Sequence, residues 1–326
     1  MGPRFRRRVE GPSGLVALAT LTVALNACGQ AHAATPAPRP VAATTVPVRG
    51  CQRPSTSGTS TLTLRVGGRD RVARLHVPHG YPAQRALPLV VNLHGSGSTA
   101  LLQETASQLS RTADAHGFLV VYPQGIRRTG AGFSWNIPGT PAWQSGGPDE
   151  AAYVRELVAT VSGRYCVDPA RVYGAGFSGG GREVSQLACE SNRIFAAVAV
   201  VGGLRAPSPC TAGPVPVLGI HGNADAQNPY NGHGQPYWSY SVPEAARRWA
   251  VHDGCPTSAV VTVVPGATAT AYRRCQGAAA VELYTLPGKG HWWPADRSGG
   301  FATDEVIWDF FADHPLPRHR VAGSAP

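Results

Sequence analysis

Arg171-Val-Tyr-Gly-Ala-Gly176-Phe177-Ser178-Gly179-Gly180 is the stretch on which the reading of the fold turns. Its first five residues have the composition of a short strand, and Gly180 to Ser191 reads as a helix. Between them lies Gly176-Phe177-Ser178-Gly179-Gly180, a match to Gly-x-Ser-x-Gly. A chain that passes from strand to helix through so tight a turn needs residues without a Cβ beside the turning point. The reward is a serine hydroxyl lifted above the end of a sheet. The plainer alternative is a glycine-rich connection in which Ser178 only caps the helix, and the pentapeptide by itself does not exclude it.

Working outward, β-branched runs alternate with longer amphipathic stretches. Strands are expected over Thr61–Val66, Val72–Val77, Leu89–Leu93, Phe118–Tyr122, Arg171–Ala175, Ala196–Val201, Val215–Ile220 and Val281–Leu286. Several are apolar on both faces, as strands covered by helices on each side must be. The first two alternate polar and apolar residues and suit an edge hairpin. Helices are expected over Leu101–Ala115, Asp149–Arg164, Ser178–Ser191, Pro243–His252 and Thr303–Ala312. Gly117 stands where the first helix wants a left-handed cap, and Thr303-Asp304-Glu305 supplies a cap and dipole-matching acids to the last. The pattern predicts one α/β domain on a mostly parallel, eight-stranded sheet with helices on both faces. Such sheets place their sites at the carboxyl ends of strands.

That rule selects partners for Ser178. A serine hydroxyl needs a base, and the base needs an acid to orient it. His291 follows the strand Val281–Leu286 and the turn Pro287-Gly-Lys-Gly290. Its competitors are His233, His252 at a helix end, and His221, which ends a strand and is more easily read as structural. Asp225 lies a few residues beyond the strand that ends at Ile220, although an Asx turn residue would look the same. The order Ser178, Asp225, His291 is that of α/β-hydrolases. Backbone N–H groups of Gly179 and of Ser96, in Leu93-His94-Gly95-Ser96-Gly97, are the candidate oxyanion donors, with Gly95 possible for the latter. Trp135, Trp143, Tyr230, Trp292 and Trp293 fall in predicted loops, where an aromatic ring serves equally as substrate contact or as packing. Trp308, among apolar helix residues, belongs to the core.

Composition narrows the class. The 326 residues are 43% hydrophobic and 15% charged, as a packed globular enzyme requires, with 28 arginines, one lysine and a net charge of +10. Beyond the four arginines of the first eight residues, no basic run or interleaved aromatic platform marks a nucleic-acid binder; the charge reads as a solvated surface, with association to acidic polymers the weaker reading. Arg4 to Arg8 followed by the apolar run Leu15–Leu25 predicts an export signal over 1–33, cleaved after Ala33, too short for a membrane span. Leu25-Asn-Ala-Cys28 offers lipidation at Cys28 instead. A Pro/Ala/Thr-rich spacer (34–50), a catalytic domain (51–314) and a flexible tail (315–326) complete the layout. Processing removes or modifies Cys28, leaving Cys51, Cys166, Cys189, Cys210, Cys255 and Cys275, which allow 15 pairings. Cys255 with Cys275 is the favoured pair. None has Cys-x-x-Cys spacing, which argues against zinc or a redox dithiol.

Taken together, Cys166-Val-Asp, Gly176-Phe-Ser-Gly-Gly, Gln186-Leu-Ala-Cys189, Gly254-Cys255, Trp143-Gln-Ser-Gly-Gly-Pro-Asp149 and Gly290-His-Trp-Trp-Pro294 resemble the secreted feruloyl esterases and poly(3-hydroxybutyrate) depolymerase-like esterases, many of them in carbohydrate esterase family 1. The resemblance runs over about residues 51 to 312. It implies a lidless α/β-hydrolase with Ser178 as nucleophile, Asp225 as acid and His291 as base, and with no metal or organic cofactor. The family's Gly-Thr-Ala-Asp stands here as Gly222-Asn223-Ala224-Asp225. The implied substrates are feruloylated or acetylated polysaccharides, with hydroxyalkanoate oligomers as the alternative. A cell-envelope acyltransferase and a non-catalytic binding module are the readings from other classes.

Overall fold

Among the described residues ten strands form one sheet, two more than the sequence predicts. The computed structural model describes residues 51, 56–190, 194–295 and 300–317. The signal segment, Cys28, the spacer and residues 318–326 of the tail lie outside the described residues. The strands of the large sheet are β1 (Gly58–Val66), β2 (Arg69–Val77), β3 (Leu87–Leu93), β4 (Leu119–Pro123), β7 (Val167–Phe177), β8 (Val198–Val201), β9 (Val217–Gly222), β10 (Val260–Val264), β11 (Ala267–Tyr272) and β12 (Val281–Leu286). A separate hairpin comprises β5 (Arg127–Thr129) and β6 (Gly132–Ser134). The helices are α1 (Ala100–Ser107), α2 (Leu109–His116), α3 (Glu150–Arg164), α4 (Gly179–Ala188), α5 (Val242–His252) and α6 (Thr303–Asp313).

The sheet order is β1-β2-β4-β3-β7-β8-β9-β12-β11-β10. The six strands from β4 to β12 run parallel, and an antiparallel pair closes each edge. The two strands missing from the prediction are β10 and β11. Val260, Val261 and Val263 of β10 are exposed, so this outermost strand carries no polar–apolar alternation to read. Side chains of the parallel strands alternate between two cores. Leu89, Val91 and Leu93 of β3 face the layer built with α3, α4 and α5. Val90 faces the layer that holds α1, α2 and α6.

The predicted helix Leu101–Ala115 is two helices. Gln108 adopts φ 59°, ψ 10° between α1 and α2. The Ser107 hydroxyl takes the Leu109 N–H at 3.4 Å, a local bond that competes with the helical ladder. Gly117 does close α2 in the left-handed region, donating its N–H to Ala113 O. At α6 the expected cap is absent: Ala302 is the capping residue, and the Thr303 hydroxyl is buried with no partner. Asp304 is spent on tertiary structure, accepting from Thr112 Oγ1 at 2.7 Å and Arg111 Nη2 at 3.0 Å, which ties α6 to α2. Disulfides join Cys51 to Cys166, Cys189 to Cys210 and Cys255 to Cys275.

This topology fixes where a site can form. The sheet extends from β3 to β4 in one direction and from β7 to β8 in the other, so the order reverses between β3 and β7. The loops beyond the carboxyl ends of these two strands face each other across the switch point.

Candidate active site

Ser178 leaves β7 with φ 50° and ψ −113°, a conformation that side-chain-bearing residues rarely hold. Its N–H is secured by Val201 O of β8 at 2.9 Å, and its carbonyl starts α4 by accepting from Arg182 N–H. Two glycines make this turn feasible. A Cβ at Gly179 would meet Ser96 Oγ and come within 3.0 Å of Ser96 N. A Cβ at Gly180 would strike Leu93 O and lie 2.5 Å from His94 O. The turn and the loop after β3 therefore pack backbone on backbone.

Across the turn, Ser178 Oγ donates to His291 Nε2 at 2.8 Å, and His291 Nδ1–H donates to Asp225 Oδ2 at 2.6 Å. The Phe177 ring lies against the imidazole at 4.9 Å between centroids. Asp225 is buried, and its other oxygen accepts the Gln227 and Asn228 N–H groups, each at 2.8 Å. His221, the residue read as structural, sits 3.2 Å from Asp225 Oδ2 and donates Nε2–H to Asn228 O at 2.9 Å. Burial pushes the Asp225 carboxyl up. The bonds from His221, His291 and Asn228 outweigh that effect and hold it well below the usual carboxylate range.

The loop His94-Gly95-Ser96 is braced from several sides. His94 Nδ1–H donates to Gly95 O at 2.8 Å, and Nε2 accepts the Gly125 N–H at 2.9 Å. Burial drives the His94 imidazolium down to about 4, against the opposing influence of the Gly95 carbonyl. Gly97 N–H and Ser98 O bond to Phe133, so the β5–β6 hairpin holds the loop as well. Gly179 stands in the first turn of α4, where N–H groups have no intrahelical acceptor. The Ser96 N–H likewise takes no backbone acceptor among the described residues. Two adjacent donors beside Ser178 Oγ are what a tetrahedral oxyanion requires.

The aromatic residues singled out in the sequence part company. Trp292 is 47% exposed and lines a cleft of about 430 Å³ with Ser178, His291, Phe177, Leu102 and Gln227. Trp293 borders the same cleft but is largely buried in the core. Trp135 is not a substrate contact: it is wholly buried, stacks near the His94 ring at 4.8 Å and donates Nε1–H to His94 O at 2.7 Å. Tyr230 does not line the cleft either; its hydroxyl pairs with Thr285 Oγ1 at 2.6 Å and its ring meets His221. Trp143 is exposed, away from the Ser178 cleft. Leu102, Gln227, His94 and Asn228 escaped the sequence reading. Only His94 carried a signal, its place directly before Gly95 and Ser96 at a strand end.

Comparison with known proteins places the chain among esterases. A family model described as esterase PHB depolymerase matches residues 72–211. The protein described as "Putative esterase NocK" from Nocardia uniformis subsp. tsuyamanensis is 32% identical over 86% of this chain and 89% of its own length. Feruloyl esterase B of Piromyces equi is 29% identical over 74% of this chain and 44% of its own. Poly(3-hydroxyalkanoate) depolymerase C of Paucimonas lemoignei is 30% identical over 69% and 59%. The chain thus spans nearly all of the first relative and about half of the other two. Among solved structures, an acetyl xylan esterase from Aspergillus awamori has a TM-score of 0.56 at 14% identity, covering 78% of this chain and 99% of that one. The fold is that of the α/β-hydrolases.

Proposed function

The chain belongs to the esterase family that includes feruloyl esterases and poly(3-hydroxyalkanoate) depolymerases, and on that premise we propose that it is an exported serine esterase of feruloyl-esterase type, with Ser178 as nucleophile, His291 as base and Asp225 as orienting acid. The observation that carries this reading is the unbroken relay of 2.8 Å and 2.6 Å from Ser178 to Asp225. His291 Nε2 takes the hydroxyl proton as Ser178 Oγ bonds to the ester carbonyl carbon. The Ser96 and Gly179 N–H groups receive the oxyanion. Collapse of the tetrahedral species breaks the bond to the alcohol oxygen, which leaves with the proton from His291. Water, deprotonated by the same imidazole, then attacks the acyl-enzyme and restores Ser178. Asp225 stays ionised throughout, stabilising the imidazolium and fixing its tautomer.

The choice of an aromatic acyl group rests on the cleft beside Ser178, where the Phe177 and Trp292 rings offer flat apolar surface and Leu102 adds an aliphatic side chain. The similarity to a poly(3-hydroxyalkanoate) depolymerase keeps hydroxyalkanoate esters as the second reading. Export is supported by three disulfides, which persist in oxidising compartments.

The test compares wild type with Ser178→Ala on p-nitrophenyl acetate, followed by turnover of methyl ferulate, acetylated xylan and hydroxybutyrate oligomers. The expected result is loss of hydrolysis in the variant and preference for methyl ferulate in the wild type. A variant that hydrolyses at the wild-type rate overturns the proposed nucleophile. Preference for hydroxybutyrate oligomers transfers the assignment to the second reading.

A further inference from the structure

Apart from the catalytic cleft, with which it shares no lining residue, lies a larger one of about 730 Å³, bordered by α3, α4 and α5 and by the loop that follows β8. Four arginines line it. Arg155 pairs with Glu190 at 3.1 Å, and Arg248 shares Glu244 with Arg247, its Nε lying 2.9 Å from the carboxylate. Arg182 and Arg205 form no such pair with any carboxylate among the described residues. Arg182 is only 9% exposed; its Nη1 reaches the uncharged Asn228 side-chain oxygen at 3.3 Å, and its Nε is buried with no partner. Arg205 lies over the Tyr240 ring at 3.7 Å, with Nη1 buried and equally unpartnered. Burial disfavours the charged form of both, and for Arg205 the nearby Arg182 and Arg248 add to it. A buried cation and a half-buried one, neither with a counter-ion, are an unfavourable arrangement that a bound anion would relieve.

The surroundings say what kind of anion. Tyr240 is held between Arg205 and Arg248, whose guanidinium carbons lie 3.7 and 3.9 Å from its ring centre. Stacking of this kind fixes a guanidinium plane in advance, and a fixed planar fork suits a planar carboxylate. Pro207, Pro209 and Tyr237 add apolar faces against which the C–H surface of a sugar ring can lie. The volume is that of a small-ligand pocket. Arg182 is also four residues along α4 from Ser178, about 6 Å of helix. We propose that this cleft binds a carboxylate-bearing sugar, a uronic acid residue of a polysaccharide whose ester is presented to Ser178. The polysaccharide part of this inference rests on the function proposed above.

The test separates the two ideas by measuring binding without chemistry. Full-length Ser178→Ala protein is titrated calorimetrically with D-glucuronate, D-glucose and inorganic phosphate, and again after adding Arg205→Gln or Arg205→Lys. Glucuronate is expected to bind at least about tenfold more tightly than glucose, and Arg205→Gln to weaken it about tenfold, the loss of one charge-assisted contact. Arg205→Lys keeps the charge without the fork and should fall between. If Arg205→Gln does not fold, Arg205→Lys carries the comparison, with a loss of about threefold expected. Equal binding of glucose and glucuronate, unchanged affinity in the folded Arg205 variant, or tighter binding of phosphate than of glucuronate each overturns the proposal. Hydrolysis surviving in Ser178→Ala would overturn the nucleophile and leave this binding result intact.

Discussion

Acidification should weaken the protein through one residue that never touches the ester. His94 is fully buried, and its Nε2 accepts the Gly125 N–H and lies 3.0 Å from the Gln124 amide nitrogen, so a second proton there would set donor against donor. In the unfolded chain the imidazole titrates near 6.5, in the fold at about 4. Between those values the unfolded state binds the proton and the folded state resists it, so stability falls as pH falls. The contribution is complete above about pH 7 and gone by about pH 4. Its size is about 3 kcal/mol, of which about 2 kcal/mol is already lost at pH 5. Urea unfolding followed by tryptophan fluorescence, run in parallel on wild type and His94→Gln, isolates this residue from the carboxylates that titrate in the same range. The variant starts less stable at pH 7, because the Nδ1–H bond to Gly95 O and the ring contact with Trp135 are lost. The gap between the two proteins should close by about 3 kcal/mol on going to pH 4. Parallel pH profiles would show that His94 is not held neutral by its surroundings.

Three further outcomes follow from the geometry. Asp225→Asn places an amide where two imidazole N–H groups converge, and kcat should fall by about 10⁴-fold; a loss below tenfold would remove Asp225 from the relay. Gly180→Ala forces a methyl group against the Leu93 and His94 carbonyls, which are backbone and cannot swing aside. Thermal unfolding should register a loss of about 3 kcal/mol, and an unchanged Tm would contradict the packing described. Removing the Cys51–Cys166 bond, with a separation of 115 residues, should cost about 5 kcal/mol on the loop-entropy model, against about 3 kcal/mol for Cys189–Cys210, separated by 21. Chemical denaturation of the paired Cys→Ser variants reads the order, and a reversed order would exclude loop entropy as the dominant contribution.

Much of this architecture is legible because its physical causes are local. Val281–Leu286 is recognisable to the residue, since a short, mostly apolar run with Val281, Tyr284 and Thr285, ended by Pro287 and Gly288, has few other ways to fold. Ser178, Asp225 and His291 stand out because each follows a strand end, and the structure brings them within hydrogen-bond reach. What escapes is decided by neighbours distant in sequence. Trp135 looks like any loop aromatic until His94 is seen to take its N–H. The break at Gln108 leaves no proline or glycine as a trace, and β11 is recognisable only once it pairs with β12. Asn228, which links Arg182 to Asp225, is an ordinary turn residue until both arrive.

The positive-φ backbone of Ser178 carries a cost on the order of 1–3 kcal/mol. Glycine would hold the same turn without that strain, so the substitution that removes the proposed nucleophile should also relax the fold. Stability and catalysis are therefore opposed at a single codon. On the proposed assignment, a lineage released from the need to hydrolyse its ester would have a downhill route, through Ser178→Gly, to a sturdier and inert protein.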